Sequence, residues 1–325
     1  MRVLVTGGSG FIGSHVVDKL REQGHEPRIF DLVRSPYDPA VDTVVGDLLD
    51  PQAVRRALDG CDAVVHLAAV ADVNDVVAEP ARAEQVNTRG TSALLEGVRA
   101  EGTPRIVYAS TVGVYGDGKP GETLDEDSPL PMPAHFYTAT KLAGEMYCAT
   151  YGELYGVEHT ILRFGIPYGP RARPATVLAA FVARALAGNA ITIAGDGRQS
   201  RRFVYVEDLA DGVVAALAPA AANRIYNLVG GESVTVREIA DTVRELVADV
   251  PIVHVEGRAG DLAGAAISGE RAAAALGWRP GTEFVEGARR YVDWVTETEP
   301  TSRAATAAST AGSASAVLRQ EPGEL

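Results

Sequence analysis

Tyr137 and Lys141 stand four residues apart in FYTATKLAGEMYCATYGELYG, a stretch patterned as one long helix. Residues at that spacing share a helix face, so a phenol and an ammonium can enter one cleft. A tyrosine phenol titrates near 10, and bringing it to about 7 so that it can act as a base takes roughly 4 kcal/mol. One ammonium at ~6 Å in an effective dielectric of ~20 supplies about 2.8 kcal/mol. Lysine alone falls short, and burying the phenolate works against it. The bland alternative is a packed tyrosine and a solvated lysine on an amphipathic helix, and the YxxxK spacing does not by itself separate the two.

The second chemical feature is VTGGSGFIG, which follows the first apolar strand pattern at once and opens a helix pattern. Gly8, Gly10 and Gly13 satisfy GxGxxG; Gly7, Gly10 and Gly13 satisfy GxxGxxG. Such glycines permit a tight turn and a close backbone approach to a pyrophosphate, with Phe11 and Ile12 at the head of a helix whose N–H groups face the anion. The strand–loop–helix context and an acidic residue at the right distance point to dinucleotide binding rather than an empty turn. That acid is Asp31, at the end of RIFD. A carboxylate there accepts from ribose hydroxyls and repels a 2′-phosphate, which selects NAD over NADP. Arg34 could serve a 2′-phosphate, but a solvated loop charge is the simpler reading. An oxidised nicotinamide beside Tyr137 would add the positive charge that the lysine alone does not provide.

These groups need a frame. β-branched runs (RVLV, PRIF, DTVV, AVVHLA, RIVYAS) alternate with helix patterns (FIGSHVVDKLREQG, PQAVRRALDG, ARAEQVNTRGTSALLEGVRAEG), and EHTILRF follows the long helix. The alternation predicts an α/β fold with a doubly wound parallel sheet, and strands apolar on both sides suit its interior. After Pro167 the texture changes to YGPRARP, VLAAFVARALAG, ITIAG and DGRQSRRF. This predicts a second, smaller α/β substrate domain over 167–297, interleaved with the first. The first domain spans 1–166, and part of 203–230 returns to it. The Thr/Ser/Ala-rich stretch over 298–325 is expected to be a disordered tail.

Bulk properties narrow the partners. The chain has 325 residues, 46% hydrophobic and 22% charged, with a net charge of -13. That composition supports a full core and offers no basic field for nucleic acid. Two cysteines, Cys61 and Cys148, form no CxxC and read as small buried thiols. The six histidines show no metal spacing, so no metal is expected; His66 and His135 are read as structural or exposed. Met1 runs straight into a strand pattern, and no apolar run approaches a membrane span. The expectation is a cytoplasmic protein without a membrane partner.

With these residues in place, the chain resembles the extended short-chain dehydrogenase/reductase family, and within it the nucleotide-sugar epimerases. The likeness runs from Met1 to about Val295 and is carried by TGGSGFIG, Asp31, GDL at 46–48, HLAA at 66–69, VNTRGT at 86–91, YASTVGVYG at 108–116, YTATK, LRFGIPYGPR at 162–171, GDGRQSRRFVYVEDLA at 195–210 and YNLVGGES at 226–233. The resemblance implies a Rossmann fold for the sheet domain and NAD as cofactor. It makes Thr111 the group that hydrogen-bonds the reacting hydroxyl and Tyr137 the acid/base. Lys141 would hold the nicotinamide ribose and lower the tyrosine pKa. It sets Asp47 and Leu48 beside the adenine, Leu67, Ala68 and Ala69 along the cofactor, and Asn87 near it. Arg201 and Arg258 would grip a nucleotide diphosphate, for which a guanidinium fork is suited. Family members are often dimers through a helix pair of the sheet domain, so a homodimer is expected.

Two departures matter. Val112 and Gly113 follow Thr111 where sugar 4,6-dehydratases of the family carry Asp-Glu and related decarboxylases a Glu at the second position, so neither reaction is favoured. Ile166 stands in RFGIPYGPR where the family has an Asn that contacts the substrate pyrophosphate. The expected activity is inversion at C4 of a nucleotide-diphosphate hexose through a transient 4-keto sugar. The alternatives are a reductase or dehydrogenase of a ketosugar or other carbonyl compound, and a non-catalytic dinucleotide-binding regulator.

Overall fold

The computed structural model describes residues 1–119, 121–256 and 265–298. Seven strands build the main sheet: β1 (Arg2–Thr6), β2 (Glu26–Asp31), β3 (Thr43–Val45), β4 (Ala63–His66), β5 (Arg105–Thr111), β6 (Glu158–Phe164) and β7 (Arg224–Leu228). Their order is β7-β6-β5-β4-β1-β2-β3, and every neighbouring pair is parallel. The order reverses between β1 and β4, so a crevice opens there at the carboxyl ends of the strands. Side chains alternate across the sheet. Val3, Val5, Ile29 and Val65 pack on α1 (Phe11–Glu22) and α5 (Val206–Ala215). Leu4, Phe30, Val64 and Ile106 pack on α2 (Pro51–Leu58), α3 (Thr91–Glu101) and α4 (Phe136–Tyr155). Both faces are covered, which is why the strands read as continuously apolar.

A separate apolar cluster lies beyond β6. Leu178, Phe181 and Val182 of the helix Val177–Leu186 meet Ile191, Ile193, Ile239, Val243, Phe284 and Tyr291. Short strands frame it: Ile191–Ala194 pairs in parallel with Ile252–Val255, and Ile166–Tyr168 with Phe203–Tyr205. Residues 284–298 form the last described helix. The expected tail beyond it lies outside the described residues. One helix pattern divides: 80–101 is an α-turn (Pro80–Glu84), a π-turn (Gln85–Gly90) and then α3.

Candidate active site

The turn after β1 shows why two of its glycines are needed. Gly7 has φ +71°, and a Cβ on it would lie 2.8 Å from the Ala68 nitrogen of the β4 loop. A Cβ on Gly13 would lie 2.1 Å from the Gly7 carbonyl oxygen. The loop and the first turn of α1 are therefore packed backbone to backbone, with no room for a side chain between a ligand and the amides. Gly10 caps α1 without a side-chain hydrogen bond, so no side chain there competes with an anion for the helix N–H groups. Phe11 and Ile12 are half-buried at the head of the helix. Asp31 Oδ2 accepts from Ser9 N at 3.0 Å and Oδ1 from Leu32 N at 2.7 Å. These bonds fix the carboxylate beside the Gly-rich turn and leave it partly exposed. Arg34, three residues on, is exposed.

Across the crevice, Leu67, Ala68 and Ala69 are half-buried. Ala68 N donates to Thr6 Oγ1 at 3.2 Å. Asn87 is buried, and its side-chain amide accepts from Val70 N at 2.7 Å and donates to Val70 O at 3.0 Å and Thr140 Oγ1 at 3.1 Å. It ties the loop after β4 to the long helix, and it does so from within the π-turn. His66 is 1% exposed, between Thr6 Oγ1 at 2.7 Å and Thr91 Oγ1 at 3.0 Å, and burial pushes its imidazole down to about 3. It stays neutral and structural, while His135 is exposed. Past β3, Leu48 is buried in the core, and exposed Asp47 accepts from Leu49 N at 2.9 Å.

The residues expected to react lie at the end of β5 and on the first turns of α4. Thr111 pairs in register with Phe164, and its Oγ1 accepts from Gly113 N at 3.1 Å, capping the 3-10 turn Val112–Tyr115. A Cβ on Gly113 would lie 3.3 Å from the hydroxyls of both Thr111 and Thr138, so the turn is pressed against the start of α4. Tyr137 is half-buried in the first turn of α4. Lys141 is 4% exposed; its Nζ donates to Ala109 O at 3.0 Å and lies 5.9 Å from the Tyr137 ring centre. Burial pushes the phenol up to about 12, with Arg173 pulling weakly the other way, and burial pushes the amine down to about 8. Burial thus works against the lowering of the tyrosine that the resemblance implies for Lys141. The ammonium lies near the tyrosine ring, and desolvation of the phenolate is the largest influence on the phenol.

The sequence 3–229 matches the model of the NAD dependent epimerase/dehydratase family. The chain belongs to that family. It is 34% identical over 310 residues to the UDP-glucose 4-epimerase of Mycolicibacterium smegmatis, spanning 90% of this chain and 98% of that protein. It is 32% identical over 311 residues to a dTDP-glucose 4,6-dehydratase of Streptomyces antibioticus, spanning 90% and 92%. Among solved structures, the Thermus thermophilus UDP-glucose 4-epimerase in complex with NAD superposes with a TM-score of 0.84 at 37% identity, covering 92% of this chain and 100% of that one. The family's fold and its dinucleotide crevice are those described above. Its reactions divide between epimerisation and elimination, so the reacting side chains must decide.

Arg201, expected to contact substrate, is half-buried in the strand Ser200–Arg201, which pairs antiparallel with Val234–Thr235, and its Nη1 donates to Ser200 O at 2.8 Å. Arg258 lies outside the described residues. Ile166 is 38% exposed at the carboxyl edge beyond β6. Arg173 went unnoticed in the sequence, where YGPRARP registered only as a loop. It is the charge acting on Tyr137, and it lies 4.0 Å from Asp72 at the N-cap of the helix Val73–Ala78. The signal available was a pair of arginines in the loop YGPRARP, but no local pattern says which of them stands near Tyr137, and Arg173 does so while its side chain stays exposed. Cys61 and Cys148 are free, buried thiols. No described helix is long and apolar enough to cross a membrane.

Proposed function

We propose that the chain is an NAD-dependent nucleotide-sugar 4-epimerase that oxidises the C4 hydroxyl of a nucleotide-diphosphate hexose and returns the electrons to the opposite face of the 4-keto sugar. NAD, when bound, supplies the two-electron acceptor and donor. The packed turn Gly7–Gly13 and the uncapped head of α1, with Gly10, Phe11 and Ile12, fit its pyrophosphate. Asp31 takes the adenosine ribose hydroxyls, Asp47 and Leu48 flank the adenine, and Leu67, Ala68 and Ala69 line the crevice, their loop held by Asn87. Lys141 holds the nicotinamide ribose and keeps a positive charge beside the phenol. Tyr137 takes the proton of the 4-hydroxyl and gives it back, and Thr111 orients that hydroxyl. Arg201 and Arg258 take the diphosphate of the substrate.

The observation that carries this reading is the reacting set itself. Thr111, Tyr137 and Lys141 suffice for an oxidise-and-return cycle, whereas water loss across C5–C6 needs a further acid and base. Val112 and Gly113 supply neither, and the buried carboxylate of Glu145 is already engaged by Arg163. Replacing Tyr137 by Phe removes only the hydroxyl. Turnover should fall by at least ~10²–10⁴-fold while NAD stays bound in full; activity close to wild type would end the assignment.

The same chain pairs with itself in this reading, through α3 and α4. Met146, Leu154 and Tyr155 of α4 are 59%, 64% and 53% exposed, and Tyr147 and Tyr151 line a hollow with Ser92, Ala93 and Glu96 of α3. Apolar side chains bared along a helix pair suit a self-complementary contact about a two-fold axis.

A further inference from the structure

A buried polar chain runs beneath the reacting groups and is not used by the chemistry above. Glu145 sits one helical turn beyond Lys141 on α4 and is 5% exposed. It accepts from the Ser110 hydroxyl, next to Thr111, and from Arg163 Nε at 3.0 Å and Nη2 at 2.7 Å. Arg163 is 2% exposed and pairs in register with Ser110 across β5 and β6. Its Nη1 donates to the Tyr115 hydroxyl at 2.8 Å, in the 3-10 turn that Thr111 caps. Tyr115 donates in turn to Asn227 Oδ1 at 2.9 Å. Asn227 N donates to Glu126 Oε1 at 2.7 Å, and its Nδ2 donates to Ser268 O at 3.0 Å. Strand Thr123–Leu124 pairs with Ala266–Ile267 at the same place.

A fully buried ion pair returns little net stability, because desolvating both charges offsets their attraction. What it fixes is geometry. We propose that Glu145, Arg163 and Tyr115 are positioning residues for the reaction: they set Thr111 against the Tyr137–Lys141 pair and tie that setting to segments 123–128 and 265–271. The chain joins β5, the 3-10 turn and α4 by way of Arg163 of β6, and reaches Glu126 and Ser268 through Asn227 of β7. This inference rests on the proposed reaction, since it names the groups being positioned.

Tyr115→Phe deletes one hydroxyl and keeps the ring, whose centre lies 4.9 Å from the Arg163 guanidinium carbon. Glu145→Gln keeps shape and removes charge. Both would be assayed for kcat and KM on the nucleotide hexose that wild type converts, for bound NAD, for thermal midpoint, and for amide hydrogen exchange at 111–116 and 123–128. A misplacement of about 1 Å costs on the order of 10²-fold in rate. The expected result is kcat lower by ~10–100-fold with KM within about twofold, full NAD content, and faster exchange in both segments. A lower midpoint with kcat of the folded enzyme unchanged would overturn the inference, as would a rise in KM alone. If wild type converts no nucleotide sugar, the proposed function fails by itself; unchanged exchange at both segments in Tyr115→Phe would then overturn the positioning role separately.

Discussion

At the scale of single residues, burial governs the site more than pairing does. Lys141 is enclosed, donates to one carbonyl, and titrates at about 8 instead of 10.5. The folded protein therefore releases this proton at a lower pH than the unfolded chain does. Between the two values the unfolded state binds more protons, so stability rises with pH, and below about 8 the full penalty of a buried charge remains. A gap of that size corresponds to roughly 3 kcal/mol. Wild type should accordingly gain roughly 3 kcal/mol on Lys141→Met as pH climbs from about 8 to 10.5, measured as paired denaturant titrations; a constant difference across that window would contradict this effect of burial. The variant should also lose turnover. The tyrosine and lysine were legible as neighbours on one helix face from their spacing. The balance between attraction and desolvation was not, because it depends on groups from distant segments, Ala109 and Tyr108 around Lys141 and the Arg173 charge near Tyr137.

At the scale of elements, the turn between β1 and α1 tolerates little change. The Gly13 Cα faces the Gly7 carbonyl so closely that even a methyl group forces the loop apart. Gly13→Ala should reduce NAD retention by at least tenfold and destabilise the fold by about 1–3 kcal/mol, read as nicotinamide released on denaturing the purified protein and as a denaturation midpoint. Unchanged NAD content would show that the turn does not hold the dinucleotide. The glycine pattern and Asp31 were legible because backbone geometry imposes residue type directly. The division of 80–101 was not: a π-turn interrupts what reads as one amphipathic helix, and it turns Asn87 toward Val70. A one-residue insertion in helical phase leaves little trace in hydrophobic periodicity.

At the scale of the whole molecule, strands alternating with helices made a parallel sheet the expectation, with part of 203–230 returning to it; Arg224–Leu228 pairs with β6, Arg224 opposite Thr160, a register that the sequence reading did not specify. No local pattern names the partner strand of such a long-range pair, while α5 packs on α1 in the layer that covers one face of the sheet. The exposed face of α4 predicts assembly: Met146→Lys with Leu154→Lys should convert a dimer to monomers in light scattering without loss of bound NAD, and an unchanged mass would place the contact elsewhere. The central claim concerns the reaction. The most direct test incubates the purified protein with nucleotide-diphosphate hexoses and hexuronates, adding no cofactor, and follows products by NMR and bound nicotinamide by absorbance. The expected result is a C4-inverted sugar nucleotide in many turnovers with no net reduction of the nicotinamide. A 4-keto-6-deoxy product, or reduction that stops after one turnover, would contradict the epimerase assignment.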